Sequence, residues 1–256
     1  MNLTQDNYYS REANNAYWSV SQFKTFKECE AKGIAELRGD YVRPETDSLL
    51  MGSYVDAYFA DEMDAFTVQH PEIFNSRTGE LKAQYRKADR AIERVKRDPM
   101  FMNALEGEKQ TIFTGELFGQ PWKAKIDILR SDAIVDLKFM KDMKPVNVNG
   151  DRVTFIDAWG YDIQGFVYQQ LVKKTTGREL PFYLAVITKE EVPDYDIIQI
   201  PQWRLNSAGE LVSYYIKKFS FVKNGEESPH RCGKCDYCKE TKVLTRIRNY
   251  EELLDE

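Results

Sequence analysis

Two aspartates and a lysine, Asp127, Asp136 and Lys138, lie in a stretch of alternating β-branched and charged residues over 124–138. This pattern predicts two β-strands joined by a hairpin whose two-residue turn is Ser131-Asp132. In the register that this turn sets, Asp127 lies directly opposite Asp136. Facing side chains of antiparallel strands are roughly 5 Å apart, and like charges at that separation destabilise the pair.

A divalent cation bound between the two carboxylates would remove this repulsion. Mg²⁺ is the cation that one or two carboxylates and a substrate phosphate typically hold in proteins. The two-residue repeat of a strand also places Lys125 and Asp127 on one face, with Asp136 and Lys138 on the matching face of the partner strand. The pattern predicts a magnesium site flanked by ammonium groups, and a row of solvated charges on an exposed sheet face is the alternative.

The composition is that of a globular protein without a membrane segment. The chain has 256 residues, of which 42% are hydrophobic and 13% aromatic, as expected for one large domain. No apolar stretch approaches the ~18 residues that span a bilayer, and the first residues lack the features of a signal peptide. The net charge of −5 argues against a general nucleic-acid coat protein, but acidic metal ligands make it compatible with a nuclease. We therefore expect a cytoplasmic protein.

Around the hairpin, the periodicity of the apolar residues predicts helices and strands in the order expected for an α/β protein. The predicted elements are a flexible segment over 1–17, an amphipathic helix that begins at Ser19 or Ser21 and contains Cys29, a buried helix over 49–59, charged helix over 80–105, a strand over 111–118, a turn over 119–121, the two hairpin strands, a polar loop over 140–153, a helix over 155–174, strands over 181–187 and 196–200, and a helix over 202–223.

Two of these helices carry further candidate site residues. Tyr161, Gln164 and Tyr168 fall on one face of the helix predicted over 155–174. A glutamine is costly in a core because its amide must find partners, so this face is a candidate part of the site. In the helix over 49–59, Asp56 is a candidate third metal carboxylate, and a polar residue on the helix surface is the alternative.

Three of the four cysteines, Cys232, Cys235 and Cys238, lie within seven residues of one another. In a protein expected to be cytoplasmic, such spacing indicates metal ligation and not disulfides. A tetrahedral site needs a fourth ligand, for which Cys29 and His230 are the candidates. Zinc bound by four cysteines, or by three cysteines and His230 with Cys29 free, is compatible with the pattern.

Three motifs resemble one branch of a known family. Asp127 followed by Asp136-Leu137-Lys138 resembles the D…(D/E)-x-K core of the PD-(D/E)xK nucleases. Gln164-x3-Tyr168 is similar to the Gln-x3-Tyr signature of RecB-like nucleases. Cys29 with the three C-terminal cysteines resembles the [4Fe–4S] staple of iron–sulfur RecB-like enzymes, although those relatives often have a longer last gap. This resemblance implies a [4Fe–4S] cluster here, with zinc as the alternative. The resemblance is to the RecB-like and RecE-like branch, which includes phage-encoded exonucleases of the exonuclease VIII type.

The resemblance implies a restriction-endonuclease-like fold with a mixed central sheet flanked by helices. It implies a single nuclease domain over 18–243, with the cysteine cluster at 232–238 and a C-terminal tail over 244–256. It further implies roles for the site residues, with Asp56 standing where RecB-like relatives carry a histidine. Asp127, Asp136 and the Leu137 carbonyl would bind Mg²⁺ or Mn²⁺, joined by Asp56. Lys138 would activate the attacking water. Gln164 and Tyr168 would position the nucleotide, and Tyr161 and Lys125 would contact the substrate.

The function implied by the resemblance is a Mg²⁺-dependent exonuclease that hydrolyses linear duplex DNA during phage-type recombination or end resection. DNA, a single-strand annealing protein and further copies of the same chain are the implied partners, in the cytoplasm of a bacterial or phage-infected cell. A non-catalytic DNA- or protein-binding module with a cysteine-bound zinc is one alternative. A structure-specific endonuclease of the same superfamily is the other.

Overall fold

The computed structural model describes residues 1–148 and 150–253. None of the helices in these residues is long and apolar enough to cross a membrane. The helices and strands are α1 (Arg11–Ala16), α2 (Val20–Glu28), α3 (Glu30–Arg38), α4 (Asp47–Phe59), α5 (Met63–Gln69), α6 (Ala83–Val95), α7 (Pro99–Ala104), β1 (Glu108–Leu117), β2 (Gln120–Leu129), β3 (Ile134–Met140), β4 (Val146–Val148), β5 (Asp151–Val153), α8 (Phe155–Trp159), α9 (Tyr161–Thr176), β6 (Phe182–Thr188), β7 (Tyr195–Ile200), α10 (Gln202–Lys223) and α11 (Asp236–Glu240), with short 3-10 helices at Pro71–Ile73 and Tyr250–Leu253.

The chain divides into two compact units. The first consists of Met1–Val20 and Pro44–Lys217, and the second of Ser21–Arg43 and the chain from Lys218 onward. The first unit contains a five-stranded sheet in the order β1-β2-β3-β6-β7, in which β3 and β6 are parallel and the other neighbours antiparallel. This mixed sheet flanked by helices confirms the predicted fold class.

The β2–β3 hairpin has the predicted register. Ile128 pairs with Val135 and Leu129 with Ile134, and the turn closes with a hydrogen bond of 2.9 Å from Arg130 N to Ala133 O. The paired ladder stops there, one pair short of the two aspartates. Regular pairing thus ends before Asp127 and Asp136, and the charge of Asp127 nevertheless acts on Asp136.

Several local predictions need correction. The turn between β1 and β2 is Phe118-Gly119, which the chain enters one residue earlier than predicted; both residues have positive φ, 53° and 72°, as a two-residue hairpin requires. The helix predicted over 155–174 is divided into α8 and α9 because Gly160 adopts the left-handed conformation. Cys29 is extended, with φ −163° and ψ 110°, and so ends α2 before α3 begins. The polar loop contains the β4–β5 pair, and its Asn149 lies outside the described residues.

The first unit buries apolar residues on both faces of its sheet. On one face, β3 residues Val135, Leu137 and Phe139 pack with side chains from α4 to α7. The other face is covered by α9, which approaches β6 closely at Gly165. Because successive side chains of a strand point to opposite faces, Asp136 and Lys138 face away from the apolar cluster that contains their neighbours.

The close approach of α9 to β6 depends on the missing side chain of Gly165. A Cβ there would lie 2.6 Å from Phe182 Cδ1 and 2.8 Å from Leu205 Cδ2. We expect Gly165→Ala to lower the free energy of unfolding by about 1–3 kcal/mol through overpacking, as measured by urea denaturation. Gly52→Ala in α4 is the matched control: its Cβ would meet nothing within 4 Å, so a helical alanine there should be neutral or stabilising by up to about 1 kcal/mol. Equal stability of the two variants would contradict this account.

The second unit is built from two distant parts of the chain. The rings of Phe23 and Phe26 lie 5.5 Å and 5.8 Å from that of Phe219. Buried Glu30 accepts a hydrogen bond of 2.8 Å from His230 N and forms an ion pair of 2.7 Å with Lys218. The segment from His230 is thereby held against the start of α3. The last three residues of the predicted C-terminal tail, 254–256, lie outside the described residues.

Candidate active site and cysteine cluster

The predicted polar face of α9 meets the aspartate of β3. Gln164 Nε2 donates a hydrogen bond of 2.7 Å to Asp136 Oδ1 and a second one of 3.1 Å to the Tyr168 hydroxyl oxygen. Asp136 is 1% exposed. The Gln164 amide therefore has hydrogen-bond partners in the protein interior, and it fixes the orientation of the buried Asp136 carboxylate.

Lys138 lies between several of the predicted site residues. Its Nζ forms an ion pair of 2.5 Å with Asp136 Oδ2 and donates a hydrogen bond of 3.2 Å to the Leu137 carbonyl oxygen. The ring of Tyr161 lies 5.5 Å from the same Nζ. The structure thus brings together Asp136, the Leu137 carbonyl, Lys138 and the face of α9.

Asp127 contacts this group through the backbone amide of Leu137. Where the β2–β3 ladder stops, Asp127 Oδ2 accepts a hydrogen bond of 3.0 Å from Leu137 N. Its other oxygen accepts a bond of 3.4 Å from Gln110 Nε2. Gln110 interrupts the pairing of β1 with β2, and its positive φ of 52° indicates strain at a non-glycine residue. Sequence reasoning missed Gln110, since nothing in its local pattern marks it.

The N-terminal segment covers the two lysines that precede Asp127. Lys125 Nζ donates a hydrogen bond of 3.3 Å to Gln5 Oε1. Lys123 is buried, donates to the Tyr8 carbonyl oxygen and lies 2.7 Å from Asn14 Oδ1; burial lowers its pKa to about 8. Residues 1–17 were expected to be flexible, but they include α1 and are held on β2 because buried ammonium groups require acceptors.

The electrostatics of the site reflect several carboxylates in a region with little water. Burial raises the pKa of Asp136 to about 7, an effect that Lys138 opposes and Asp127 adds to. Burial also raises the pKa of Asp56, and Asp127 increases that shift. Burial acts to lower the pKa of Lys138, but the charges of Asp136, Asp127 and Asp56 outweigh it and raise the value. Asp56 is therefore part of the same electrostatic cluster.

The donor atoms of this cluster fit a hard divalent cation. Among the described residues, Asp136 Oδ2 is buried without a hydrogen bond of regular geometry, although it meets the charge of Lys138. The oxygen thus already attracts one cationic group, and a buried carboxylate oxygen is stable only with such a partner. Carboxylates and a backbone carbonyl are ligands suited to Mg²⁺ or Mn²⁺. Asp127, Asp136 and the Leu137 carbonyl can supply such ligands, with Asp56 nearby.

The second unit brings all four cysteines together. Each offers a sulfur, and these four atoms lie within 4.8 Å of one another. Cys29 Sγ is 3.5 Å from Cys238 Sγ, which is 4.0 Å from Cys232 Sγ. The four thiols are free of disulfides. His230 contacts Cys29 through its carbonyl oxygen, 3.9 Å from that sulfur, and is not in the group of four. The arrangement favours four cysteine ligands over three cysteines and His230.

Backbone amides stabilise the thiolate form of Cys232. The N–H groups of Lys234 and Cys235 lie 3.4 Å and 3.3 Å from it. Although burial acts to raise the pKa of Cys232, these hydrogen bonds outweigh it and lower the value to about 6. Burial raises the pKa of Cys29. Burial also raises the pKa of Cys235, to about 12.

The chain is similar to one protein-family model and to a solved structure. A family model described as a PDDEXK-like domain of unknown function (DUF3799) matches residues 19–241. The crystal structure of a "Putative exonuclease" from Eubacterium rectale is 42% identical to this chain, with a TM-score of 0.95, and the match covers 99% of this chain and 98% of that one. No curated protein matches the chain.

Proposed function

The chain belongs to the family of PDDEXK-like domains described as DUF3799, and from this premise we propose that it is a Mg²⁺-dependent exonuclease of linear duplex DNA. The family and the structural neighbour support a nuclease. The observation that carries the finer proposal is the convergence of Asp127, Asp136, Lys138 and Gln164 in one hydrogen-bonded group.

In this proposal each residue has a task that follows from its contacts. Gln164 holds Asp136 through Oδ1 and Lys138 pairs with Oδ2, and Asp136 would bind the cation together with Asp127 and the Leu137 carbonyl. When bound, the cation would lower the pKa of a water molecule and neutralise charge on the phosphate. Lys138, in contact with both Asp136 and the Leu137 carbonyl, is placed to orient the attacking water and to offset phosphate charge.

The helix α9 and strand β2 supply the substrate contacts in the same proposal. Tyr168 is fixed by Gln164 and, with Tyr161, would position the nucleotide next to the cation. Lys125 would contact a phosphate, since an ammonium group is a sequence-independent partner for the DNA backbone. An annealing protein that receives the remaining strand, further copies of the chain and a role in phage-type recombination rest on the resemblance alone.

We expect end-labelled linear duplex DNA to be degraded with Mg²⁺ or Mn²⁺ and to stay intact with EDTA. Closed circular duplex DNA should resist, because an exonuclease needs an end. Products are separated by denaturing electrophoresis over a time course. Cutting of the circle would favour the structure-specific endonuclease, and loss of neither substrate with either metal would favour the non-catalytic binding module.

The four cysteines form a proposed structural metal site. A tetrahedral zinc ion at about 2.3 Å from each sulfur sets the sulfurs about 3.8 Å apart, close to the 3.5 Å and 4.0 Å found here. A [4Fe–4S] cluster holds each sulfur on a different iron atom and so needs wider separation. The spacing therefore favours Zn²⁺, and the [4Fe–4S] cluster is the alternative that metal analysis tests.

A further inference from the structure

An exposed aromatic ring lies beside the proposed active site. Tyr9 is 69% exposed, and its ring centre lies 5.1 Å from Lys125 Nζ. Lys125 precedes Asp127 by two residues on β2, so the two side chains share a face of the sheet. Single exposed aromatic residues are common on protein surfaces. Tyr9 differs from these because it lies next to Asp127, a candidate metal ligand.

The backbone around Tyr9 is held firmly although its ring is exposed. The Tyr9 carbonyl oxygen accepts a hydrogen bond of 3.2 Å from Asn14 Nδ2. Ser10 N donates a bond of 3.0 Å to Asn7 O, and Tyr8 N donates one of 3.0 Å to Thr4 O. The Tyr9 ring also meets buried Tyr8 edge to face, with ring centres 4.9 Å apart. A ring on a fixed backbone loses little entropy when a ligand packs on it.

The segment that carries Tyr9 is also connected to Asp127 through hydrogen bonds. Gln5 Nε2 donates a bond of 2.7 Å to Gln110 O, and Gln110 Nε2 donates one of 3.4 Å to Asp127 Oδ1. The N-terminal segment is thus part of the wall of the site.

We propose that Tyr9 and Lys125 form a subsite for the nucleotide next to the scissile phosphate, with the base stacked on the Tyr9 ring and a phosphate held by Lys125. This inference rests on the proposed nuclease function. Stacking on an aromatic ring together with an ammonium–phosphate contact binds single-stranded nucleic acid without sequence preference. Such a subsite suits an enzyme that must process every nucleotide in turn.

The test compares Tyr9→Ala with Tyr9→Phe on linear duplex DNA. Loss of one stacked base costs roughly tenfold in affinity, so Tyr9→Ala should raise KM about tenfold while leaving kcat nearly unchanged, and Tyr9→Phe should behave as the wild type. Tyr214→Ala is the matched control, because exposed Tyr214 meets Tyr215 at the same ring distance, 4.9 Å, on a helix outside the site. A wild-type KM for Tyr9→Ala would overturn the proposal.

An abasic nucleotide distinguishes stacking from a structural role. Duplexes are prepared with one abasic nucleotide at successive positions of the degraded strand. At one position, the missing base should raise the KM of the wild type about tenfold and should leave the KM of Tyr9→Ala unchanged. If the effects of the missing base and of Tyr9→Ala on KM are additive at every position, Tyr9 does not stack on the base. If the wild type degrades no DNA, the nuclease proposal fails, and fluorescence anisotropy with single-stranded DNA in EDTA decides on Tyr9: about tenfold weaker binding by Tyr9→Ala supports the subsite, and equal binding overturns it.

Discussion

Replacing Asp136 with alanine is expected to abolish DNA cleavage, with kcat lowered roughly 10³-fold or more, which corresponds to several kcal/mol of transition-state stabilisation. The substitution removes the carboxylate that Gln164 orients and Lys138 pairs with. Lys138→Met should cause a loss of the same order, because the group next to the reacting water would be gone. Initial rates on end-labelled linear DNA with saturating Mg²⁺ measure both effects.

Asp132→Ala is the control for this prediction. Asp132 belongs to the turn of the same hairpin, and its side chain is exposed and paired with Arg130 at 2.9 Å. Surface pairs of this kind contribute little to stability, so the variant should cleave at the wild-type rate. If Asp136→Ala and Lys138→Met also cleave at that rate, the hairpin is not the catalytic centre.

The loss of activity in Asp136→Ala should not come from unfolding. The folded-state pKa of Asp136 is raised from 3.8 to about 7, so the folded protein binds more protons than the unfolded chain between these values. Stability from this group is present below about pH 4 and is lost as the pH rises to about 7. In EDTA at pH 8, the cost of burying the ionised carboxylate opposes the gain from its ion pair with Lys138, so Asp136→Ala should stay folded, as measured by urea denaturation.

Replacing Cys29 with alanine is expected to remove the bound metal and to destabilise the second unit by several kcal/mol, since structural metal binding contributes directly to folding. Cys29 and Cys238 are 209 positions apart in the chain, and their sulfurs lie 3.5 Å from each other. A metal shared by them would therefore connect the two parts of that unit. Elemental analysis of the purified protein and thermal denaturation with and without a chelator measure the two effects.

His230→Ala is the matched control, because His230 uses its backbone N–H and carbonyl groups in this region. It should keep one zinc ion per chain. A preparation that is purified without oxygen and contains iron, sulfide and a brown colour would establish the [4Fe–4S] alternative and contradict the argument from sulfur spacing. Loss of metal in His230→Ala, with Cys29→Ala unaffected, would show that Cys29 is not a ligand.

Local patterns in the sequence were sufficient to predict the strands and helices that contain the candidate active-site residues. The β2–β3 register follows from a short turn and from side-chain alternation, because a one-residue slip would expose every apolar residue of the strand. Gln164 and Tyr168 face the same way since the helical repeat places positions four apart on one face. The bounds of α10 were predicted at both ends. Each of these features depends on residues that are neighbours in the chain.

The tertiary structure alone decided which distant groups complete the sites. Asp127 binds the Leu137 amide where the ladder ends, and Gln110 supports it from the next strand. The N-terminal segment packs on β2 because buried Lys123 needs oxygen acceptors. Cys29 meets the C-terminal cysteines because α2 ends there and the chain becomes extended. These contacts arise from the packing of elements far apart in sequence, and local periodicity contains no information about which of them meet.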